Sequence, residues 1–95
     1  MRLHYSPAAR RDLLAIIDHG REAGYPDPVG FVRGLRDRAA SLRDHPLQGR
    51  QGRVVGTRER VLAGTAYLMV YRIGADAIEV LRVLHGAQQW PSGDG

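Results

Sequence analysis

Two helix starts near the N-terminus constrain the fold more than any other feature of this sequence. Ser6-Pro7 and Asp27-Pro28 each place a capping side chain directly before a proline, which suits the first helical position. Apolar residues recur on one helical face after both starts, namely Ala9, Leu13, Ile16 and Ile17 after the first and Val32, Leu35, Ala39 and Leu42 after the second. Gly24 and Pro46 are predicted to end the two helices. We therefore expect two amphipathic helices, joined by a connection of about four residues, that form an antiparallel hairpin.

Strand signals lie on both sides of the helices. Residues 2–5 alternate as in a short strand, and the β-branched and aromatic segments 58–62, 65–73 and 77–84 are separated by short glycine-containing breaks. That spacing predicts an antiparallel meander. The loop 46–57 contains three glycines and is predicted to hold one further short strand at 53–55. The order β-α-α-β-β-β predicts the α+β class, with an N-terminal strand and a helix hairpin packed on one face of a small antiparallel sheet.

Length and composition narrow the class of protein. A chain of 95 residues forms one domain, which we expect over 1–91, with a disordered tail at 92–95. The lack of cysteine excludes disulfide scaffolds and cysteine-based zinc sites. All 14 cationic residues are arginine, and the lack of lysine excludes a P-loop nucleotide site. We see neither an apolar run near 18 residues nor a signal-peptide pattern, so we expect a cytoplasmic protein.

The charge distribution and the histidines supply the candidate functional residues. The net charge of +4 favours polyanions or acidic partners, and the densest positive stretch holds Arg50, Arg53, Arg58 and Arg60. The four histidines lack metal-ligand spacing, so neither a metal nor another cofactor is expected.

Two residues near the C-terminus each allow two interpretations. His85 follows the last predicted strand, where it could transfer a proton near neutral pH or could simply bond the backbone. Trp90 could stack on a nucleic-acid base or close the edge of the core. Asp12, by contrast, lies on the polar side of the first predicted helix and is expected to be solvated.

The turn after residue 62 decides which side chains share a face of the sheet. A two-residue turn at Ala63-Gly64 would put Arg58 and Arg60 beside Tyr67, Met69 and Tyr71. We favour a three-residue loop over 62–64 with Gly64 in the left-handed region, which puts both arginines beside Leu68, Val70 and Arg72. A three-residue turn over 74–76 would then add Ile78, Val80 and Arg82 to that face, whereas a two-residue turn at 74–75 would move Arg82 to the other face. The helices would cover the opposite face, which carries Val61, Tyr67, Met69, Tyr71, Leu81 and Val83.

Three segments together resemble a known family of toxins. They are SPAARRDLLAI in the first helix, the long run FVRGLRDRAASLRDHPLQGRQGRVVGTRERVLAGTAYLMVYRI, and EVLRVLHGAQQWP at the end. Over about residues 3–91 the chain resembles the ParE/RelE superfamily of toxins from type II toxin–antitoxin modules, whose fold is a helix hairpin on an antiparallel sheet. RelE-like members cut mRNA in the ribosomal A site without metal, and ParE-like members poison DNA gyrase. In both groups a cognate antitoxin binds and neutralises the toxin.

The resemblance also implies roles for individual residues. Arg58 and Arg60 match two basic residues of RelE-like toxins, but a further family arginine falls at Leu68 and the late tyrosine has no counterpart. In a ribonuclease, His85 and Arg82 could substitute as the catalytic residues. The missing groups favour ParE-like poisoning of DNA gyrase, with a RelE-like, metal-independent, ribosome-dependent mRNA endonuclease as the alternative. A module that only binds its partner is a third interpretation.

The expected surfaces follow from the predicted faces. Target or phosphate binding is expected at Arg50, Arg53, Arg58, Arg60, Arg82 and Trp90. An acidic or amphipathic segment of the antitoxin is expected to cover an exposed apolar strip of Leu68, Val70, Ile78 and Val80, in a hetero-oligomer of toxin and antitoxin.

Overall fold

The computed structural model describes residues 1–86 and 88–91, so the predicted tail at 92–95 lies outside the described residues. Two helices cover one face of a five-stranded sheet, in the predicted order. The elements are β1 (Arg2–Tyr5), α1 (Pro7–Glu22), α2 (Pro28–Ala39), β2 (Arg50–Gln51), β3 (Arg58–Val61), β4 (Tyr67–Ile73) and β5 (Ala77–His85). Short 3-10 segments at Ala40–Arg43 and Pro46–Gln48 connect α2 to β2. Neither helix of the described chain is long and apolar enough to cross a membrane.

The two helices begin where their caps predict. The Ser6 hydroxyl oxygen accepts a hydrogen bond from the Ala9 backbone N–H at 3.0 Å, and a carboxylate oxygen of Asp27 accepts one from the Gly30 N–H at 3.0 Å. Gly24, just beyond α1, has a φ of 79°, a conformation that glycine adopts without a steric penalty. Both predicted helices are therefore confirmed, with the second continuing as a 3-10 segment until shortly before Pro46.

The sheet has the strand order β1-β5-β4-β3-β2. Strands β2 to β5 are antiparallel neighbours, whereas β1 runs parallel to β5 and pairs with it only from Ala77 to Val80. The predicted strand at 53–55 is wrong, because the short strand lies at Arg50–Gln51 instead. The Arg53 backbone N–H donates to a Glu59 carboxylate oxygen at 2.9 Å rather than to a neighbouring strand.

The turn between β3 and β4 differs from the one we favoured. The Leu62 N–H donates to the Tyr67 carbonyl at 2.9 Å, which closes a four-residue loop over 63–66 that contains Gly64 at φ 77°. Arg58 consequently pairs with Tyr71 and Arg60 with Met69. Directly paired residues point to the same face of a sheet. The expectation that both arginines lie beside Leu68 and Val70 is therefore wrong. A four-residue loop shifts the pairing of β3 with β4 by an odd number of residues relative to a three-residue loop, so the side chains of β3 pair with the other face of β4.

Two further features set the faces of β5. The Gly74 N–H donates to the Ala77 carbonyl at 2.8 Å, so the connection is shorter than expected and Ile78 pairs with Ile73. A register shift between Val70 and Tyr71 then leaves Leu81 as an extra residue, because Tyr71 pairs with Val80 and Val70 with Arg82. Arg82 therefore returns to the face of Leu68 and Val70, as expected.

The apolar residues divide between the two faces of the sheet. We call the side under the helices the helix face, where Tyr67, Met69, Tyr71 and Val83 lie as predicted. The opposite side, the outer face, carries Glu59, Val61, Leu68, Val70, Arg72, Arg82 and Leu84. The expected strip is wrong for Ile78 and Val80, which are fully buried on the helix face. The placement of Val61 and Leu81 under the helices is also wrong: Val61 pairs with Leu68, and Leu81 packs against the outer cluster.

Candidate target and partner surfaces

The predicted arginines do not form one surface. Arg58 and Arg60 lie on the helix face of β3, whereas Arg82 lies on the outer face of β5. Arg58 donates to the Gly49 carbonyl at 2.8 Å and so helps to hold the preceding loop. Arg60 is half-buried and has no ion pair among the described residues. The geometry therefore excludes a phosphate site that all of these side chains share.

A buried carboxylate organises the arginines of the outer face. Glu59 has 1% of its side chain exposed and contacts the guanidinium groups of Arg50 at 3.1 Å and Arg53 at 3.0 Å. The hydrogen bonds from the Arg53 side chain, followed by those from its backbone N–H and from Arg50, lower the pKa of Glu59 to about 2 against the opposing effect of burial. Two guanidinium groups share this one carboxylate, so one positive charge remains on a surface that is open to solvent.

Arg82 is held by Asp12, whose predicted solvated position is wrong. Its Nε and a terminal guanidinium nitrogen donate to the two Asp12 carboxylate oxygens at 2.7 and 3.0 Å. These bonds raise the pKa of Arg82 above its usual value. The same carboxylate accepts the Val83 backbone N–H at 2.8 Å, so Asp12 binds α1 to the part of β5 that lies beyond β1.

Trp90 closes the outer apolar cluster, which is the second of its two predicted roles. It packs with Leu81 against Leu68, Val70 and Leu84, and the Arg82 guanidinium carbon lies 5.6 Å from its ring centroid. Leu68 is 7% exposed and Val70 is fully buried. The expected open apolar strip is therefore absent from the described part of the outer face.

His85 lies at the end of β5, away from Arg82. It pairs with Tyr67 on the helix face, their rings meet edge to face at 5.4 Å, and its backbone N–H donates to the Gln88 side chain at 2.6 Å. Both rings line an open cavity of about 650 Å³ that also contains His19 and Phe31. The Arg82 guanidinium is bound to the Asp12 carboxylate of α1, whereas the His85 ring lines the cavity beside Tyr67, so the structure does not bring together the two residues named for a ribonuclease.

A second groove was missed by the sequence analysis. It lies between β1 and α2 and has a volume of about 480 Å³. Its lining residues are Leu3, Tyr5, Ile17, Val29, Val32, Arg33, Arg36, Asp37, Ala40 and Arg43. The helical spacing of Arg33 and Arg36, close to the predicted apolar stripe, was the available signal, but it also fits an ordinary solvated helix face.

Tyr5 has an unusual environment in this groove. Its hydroxyl is buried without a hydrogen bond of good geometry to a described residue, although it lies within reach of the Arg36 side chain, whose guanidinium carbon is 4.9 Å from the Tyr5 ring centroid. Burial raises the pKa of Tyr5, while the nearby Arg36 and Arg43 act in the opposite direction. The described residues contain no group of three or more side chains that could hold a metal ion.

Comparisons with known proteins identify toxins of type II toxin–antitoxin systems as the relatives of this chain. A family model described as the ParE toxin of the type II toxin–antitoxin system parDE matches residues 3–90. A curated protein of Sinorhizobium fredii, named "Putative toxin Y4kP", is 49% identical over 51 residues, which are 54% of this chain and 52% of that protein. This match therefore spans only about half the length of the relative.

Solved structures of toxin–antitoxin systems share the fold. A chain of the chromosomal ParDE system from P. aeruginosa has a TM-score of 0.82 and 26% identity, over 90% of this chain and 95% of that one. A chain of the RelBE2 toxin–antitoxin complex from Mycobacterium tuberculosis has a TM-score of 0.67 and 27% identity, over 88% and 95%. The E. coli DinJ-YafQ complex, with a TM-score of 0.58, 13% identity and coverage of 95% and 99%, shows likeness of fold alone.

Proposed function

Because the chain belongs to the ParE toxin family of type II toxin–antitoxin systems, we propose that it inhibits bacterial growth by poisoning DNA gyrase and that a cognate antitoxin neutralises it. A toxin with this target acts in the cytoplasm. The separation of Arg58 and Arg60 from Arg82 across the sheet carries the choice of gyrase over mRNA cleavage. Cleavage without a metal requires a base, an acid and cations around one phosphate, and the candidate residues are divided between two faces.

The comparisons support the same choice. The matching family model is that of ParE. The TM-score to the ParDE structure is 0.82, which is higher than the value of 0.67 to the RelBE2 structure. The identities to the two structures are nearly equal, at 26% and 27%, so the preference comes from the arrangement of the backbone.

The outer face is the best candidate for the gyrase contact. Arg50 and Arg53 keep 64% and 46% of their side chains exposed above the buried Glu59, and Val61 on the same face is 57% exposed. A cationic and partly apolar surface of this kind suits the complex that gyrase forms with DNA. Arg60 and His85, on the other face, are not required for this contact.

The test measures gyrase activity and mRNA cleavage with the same protein. The purified chain at micromolar concentration is added to gyrase, ATP and relaxed plasmid, and supercoiling and trapped cleaved DNA are measured. Translating ribosomes programmed with a defined mRNA are examined in parallel by toe-printing. We expect loss of supercoiling that added antitoxin reverses, and toe-prints without new mRNA ends. New ends in ribosomal A-site codons, together with normal supercoiling, would replace this proposal with the endonuclease.

A matched pair of variants locates the contact. Arg50→Glu reverses an exposed charge on the outer face, and Arg21→Glu reverses one on α1, where 64% of the arginine side chain is also exposed. We expect Arg50→Glu to raise the toxin concentration needed for half-inhibition about tenfold or more and Arg21→Glu to leave it within about twofold. Equal effects of the two substitutions would show that the outer face does not make the gyrase contact.

A further inference from the structure

The groove between β1 and α2 combines an apolar floor with a cationic rim. Leu3 and Tyr5 of β1 face Val32 of α2, and the side chains of Arg33, Arg36 and Arg43 line the same space. All three arginines are exposed, so their charges face solvent. None of the three forms an ion pair with a described residue, although Asp37 also lines the groove.

The buried hydroxyl of Tyr5 is a second, independent feature. A buried polar group without a partner destabilises a protein, so such groups are rare in folded proteins. Here the hydroxyl lies beside Arg36, in a residue that lines the groove. A carboxylate that entered beside Arg36 could accept hydrogen bonds from the hydroxyl and from the guanidinium group together.

The backbone beside the groove is also open. β1 is the edge strand of the described sheet and pairs only with β5. The N–H and C=O groups along its other side are a template on which an extended segment can add as a strand. Leu3 and Tyr5, which form the floor of the groove, would then contact the apolar side chains of that segment.

From these features we propose that the groove between β1 and α2 binds an acidic, partly apolar segment of the antitoxin, with a carboxylate placed between Arg36, Arg43 and the Tyr5 hydroxyl. The inference rests on the proposed function, since it names the surface that the neutralising partner occupies. It differs from the sequence-based expectation of an antitoxin segment on Leu68, Val70, Ile78 and Val80, which are buried.

The floor of the groove favours a peptide over a nucleic acid. Leu3, Val29 and Val32 offer apolar contacts that a phosphate backbone does not use. A peptide with alternating acidic and apolar side chains satisfies both the floor and the rim. The three arginines and the hydroxyl therefore act as one recognition site for a carboxylate-bearing protein segment.

The first experiment uses Tyr5→Phe, which removes only the hydroxyl. The antitoxin encoded beside the toxin gene is purified, and its affinity for the full chain is measured by calorimetry. We expect Tyr5→Phe to weaken antitoxin binding about tenfold to a hundredfold, as for a hydrogen bond to a charged group. The free variant should be at least as stable in thermal denaturation as the parent chain, because the substitution removes a buried hydroxyl that has no partner in the free toxin.

The second experiment reverses charge on the rim. Arg36→Glu is compared with Arg10→Glu, an exposed arginine on α1 outside the groove. Arg36→Glu should weaken antitoxin binding about a hundredfold and should reduce its dependence on salt, whereas Arg10→Glu should change the affinity less than threefold. Circular dichroism of each variant shows that the fold is retained.

The outcomes separate the inference from the proposed function. If the antitoxin binds the parent chain, Tyr5→Phe and Arg36→Glu equally well, the inference is wrong and the assignment as a neutralised toxin stands. If the purified antitoxin does not bind the parent chain, the proposed neutralisation fails and the inference fails with it. If a 20-nucleotide single-stranded RNA, rather than the antitoxin, loses affinity in Arg36→Glu but not in Arg10→Glu, the groove is a nucleic-acid site and the inference is overturned.

Discussion

Single side chains hold the loop between α2 and β3 against the sheet. Tyr71 is fully buried; its hydroxyl accepts the Gly49 backbone N–H at 2.8 Å and donates to the Pro46 carbonyl at 2.7 Å. A Cβ added at Gly49 would lie 2.6 Å from that hydroxyl, so the close approach explains why glycine occupies the position. With Glu59 bound to Arg50 and Arg53 nearby, the arginine-rich loop is ordered by the two polar side chains of Tyr71 and Glu59.

Removal of the Tyr71 hydroxyl should loosen this loop. Tyr71→Phe leaves the Gly49 N–H and the Pro46 carbonyl without their partner, so we expect the free energy of unfolding to fall by about 1–3 kcal/mol. Tyr25→Phe, at a residue that is 64% exposed, is the matched control and should change it by less than about 0.5 kcal/mol. Urea denaturation followed by circular dichroism measures both. A Tyr71→Phe chain as stable as the parent would show that these two bonds contribute no net stability.

The pKa of Glu59 predicts how stability depends on pH. Its pKa falls from 4.5 in the unfolded chain to about 2 in the folded protein. The carboxylate therefore contributes its full stabilisation above about pH 4.5 and loses it as the pH falls towards 2. We expect Glu59→Gln to destabilise the chain at pH 7 by about 2 kcal/mol and to flatten the decrease in stability between pH 4.5 and 2.

Glu79→Gln is the control for that pH series. Glu79 pairs with Arg72 at 2.9 Å on the same face, but 36% of its side chain is exposed. An exposed ion pair contributes little, so Glu79→Gln should change stability by less than about 1 kcal/mol. If Glu59→Gln and the parent chain lose stability in parallel on acidification, the Glu59 ion pairs are not the source of the pH dependence.

At the scale of elements, the contacts on both sides of β5 determine which face each of its side chains occupies and where its backbone groups bond. The turn over residues 74–77 puts Ile78 and Val80 on the helix face, and the extra residue Leu81 returns Arg82 to the outer face. Beyond Val80, β5 has no strand partner on the side of β1 within the described part of the chain. Asp12 and Gln88 accept the backbone N–H groups of Val83 and His85 there, so side chains take the place of a strand.

Two substitutions at Asp12 separate its two roles. Asp12→Asn keeps an oxygen that can accept the Val83 N–H but loses the ion pair with Arg82, whereas Asp12→Ala removes both. We expect a loss of about 1 kcal/mol for the first and about 2–4 kcal/mol for the second, by denaturant titration. Asp12→Ala should also open the edge of β5, which size-exclusion chromatography would detect as concentration-dependent association. Equal losses for the two variants would mean that the Val83 bond is unimportant.

At the scale of the whole molecule, two charged surfaces lie on different sides of one small sheet. The outer face carries Arg50, Arg53 and the exposed Val61, and the groove lies between β1 and α2 on the helix side. The two proposed partners therefore use different residues. Substitutions at one surface should consequently leave binding at the other surface unchanged.

Val61→Asp tests this separation. A carboxylate at this exposed outer position should weaken gyrase inhibition about tenfold or more, since it places a charge in an apolar contact. Antitoxin affinity should remain within about threefold of the parent value. Leu14→Asp, on the exposed side of α1, is the control because that leucine is 61% exposed and lies outside both surfaces. A Val61→Asp chain that inhibits gyrase normally but binds antitoxin weakly would show that the outer face binds the antitoxin and not gyrase.

The elements of this protein were predictable from the sequence because their signals are local. Ser6-Pro7, Asp27-Pro28 and Gly24 mark the helix ends through backbone geometry within a few residues, and strand segments follow from side-chain type. The order of elements, and with it the α+β fold, follows from those signals and agrees with the family resemblance. The candidate arginines were also visible, since charge does not depend on the fold.

The faces of the sheet were decided only by the tertiary structure. Successive residues of a strand alternate between the two faces of the sheet. A loop of four rather than three residues therefore moves the side chains of β3 to the other face, and the extra residue Leu81 does the same for the end of β5. Arg58 and Arg82 were separated in this way, and Asp12 came to hold Arg82 across 70 residues of sequence. The groove beside Tyr5 likewise exists only because β1 and α2 pack together, and no local pattern in either segment specifies that contact.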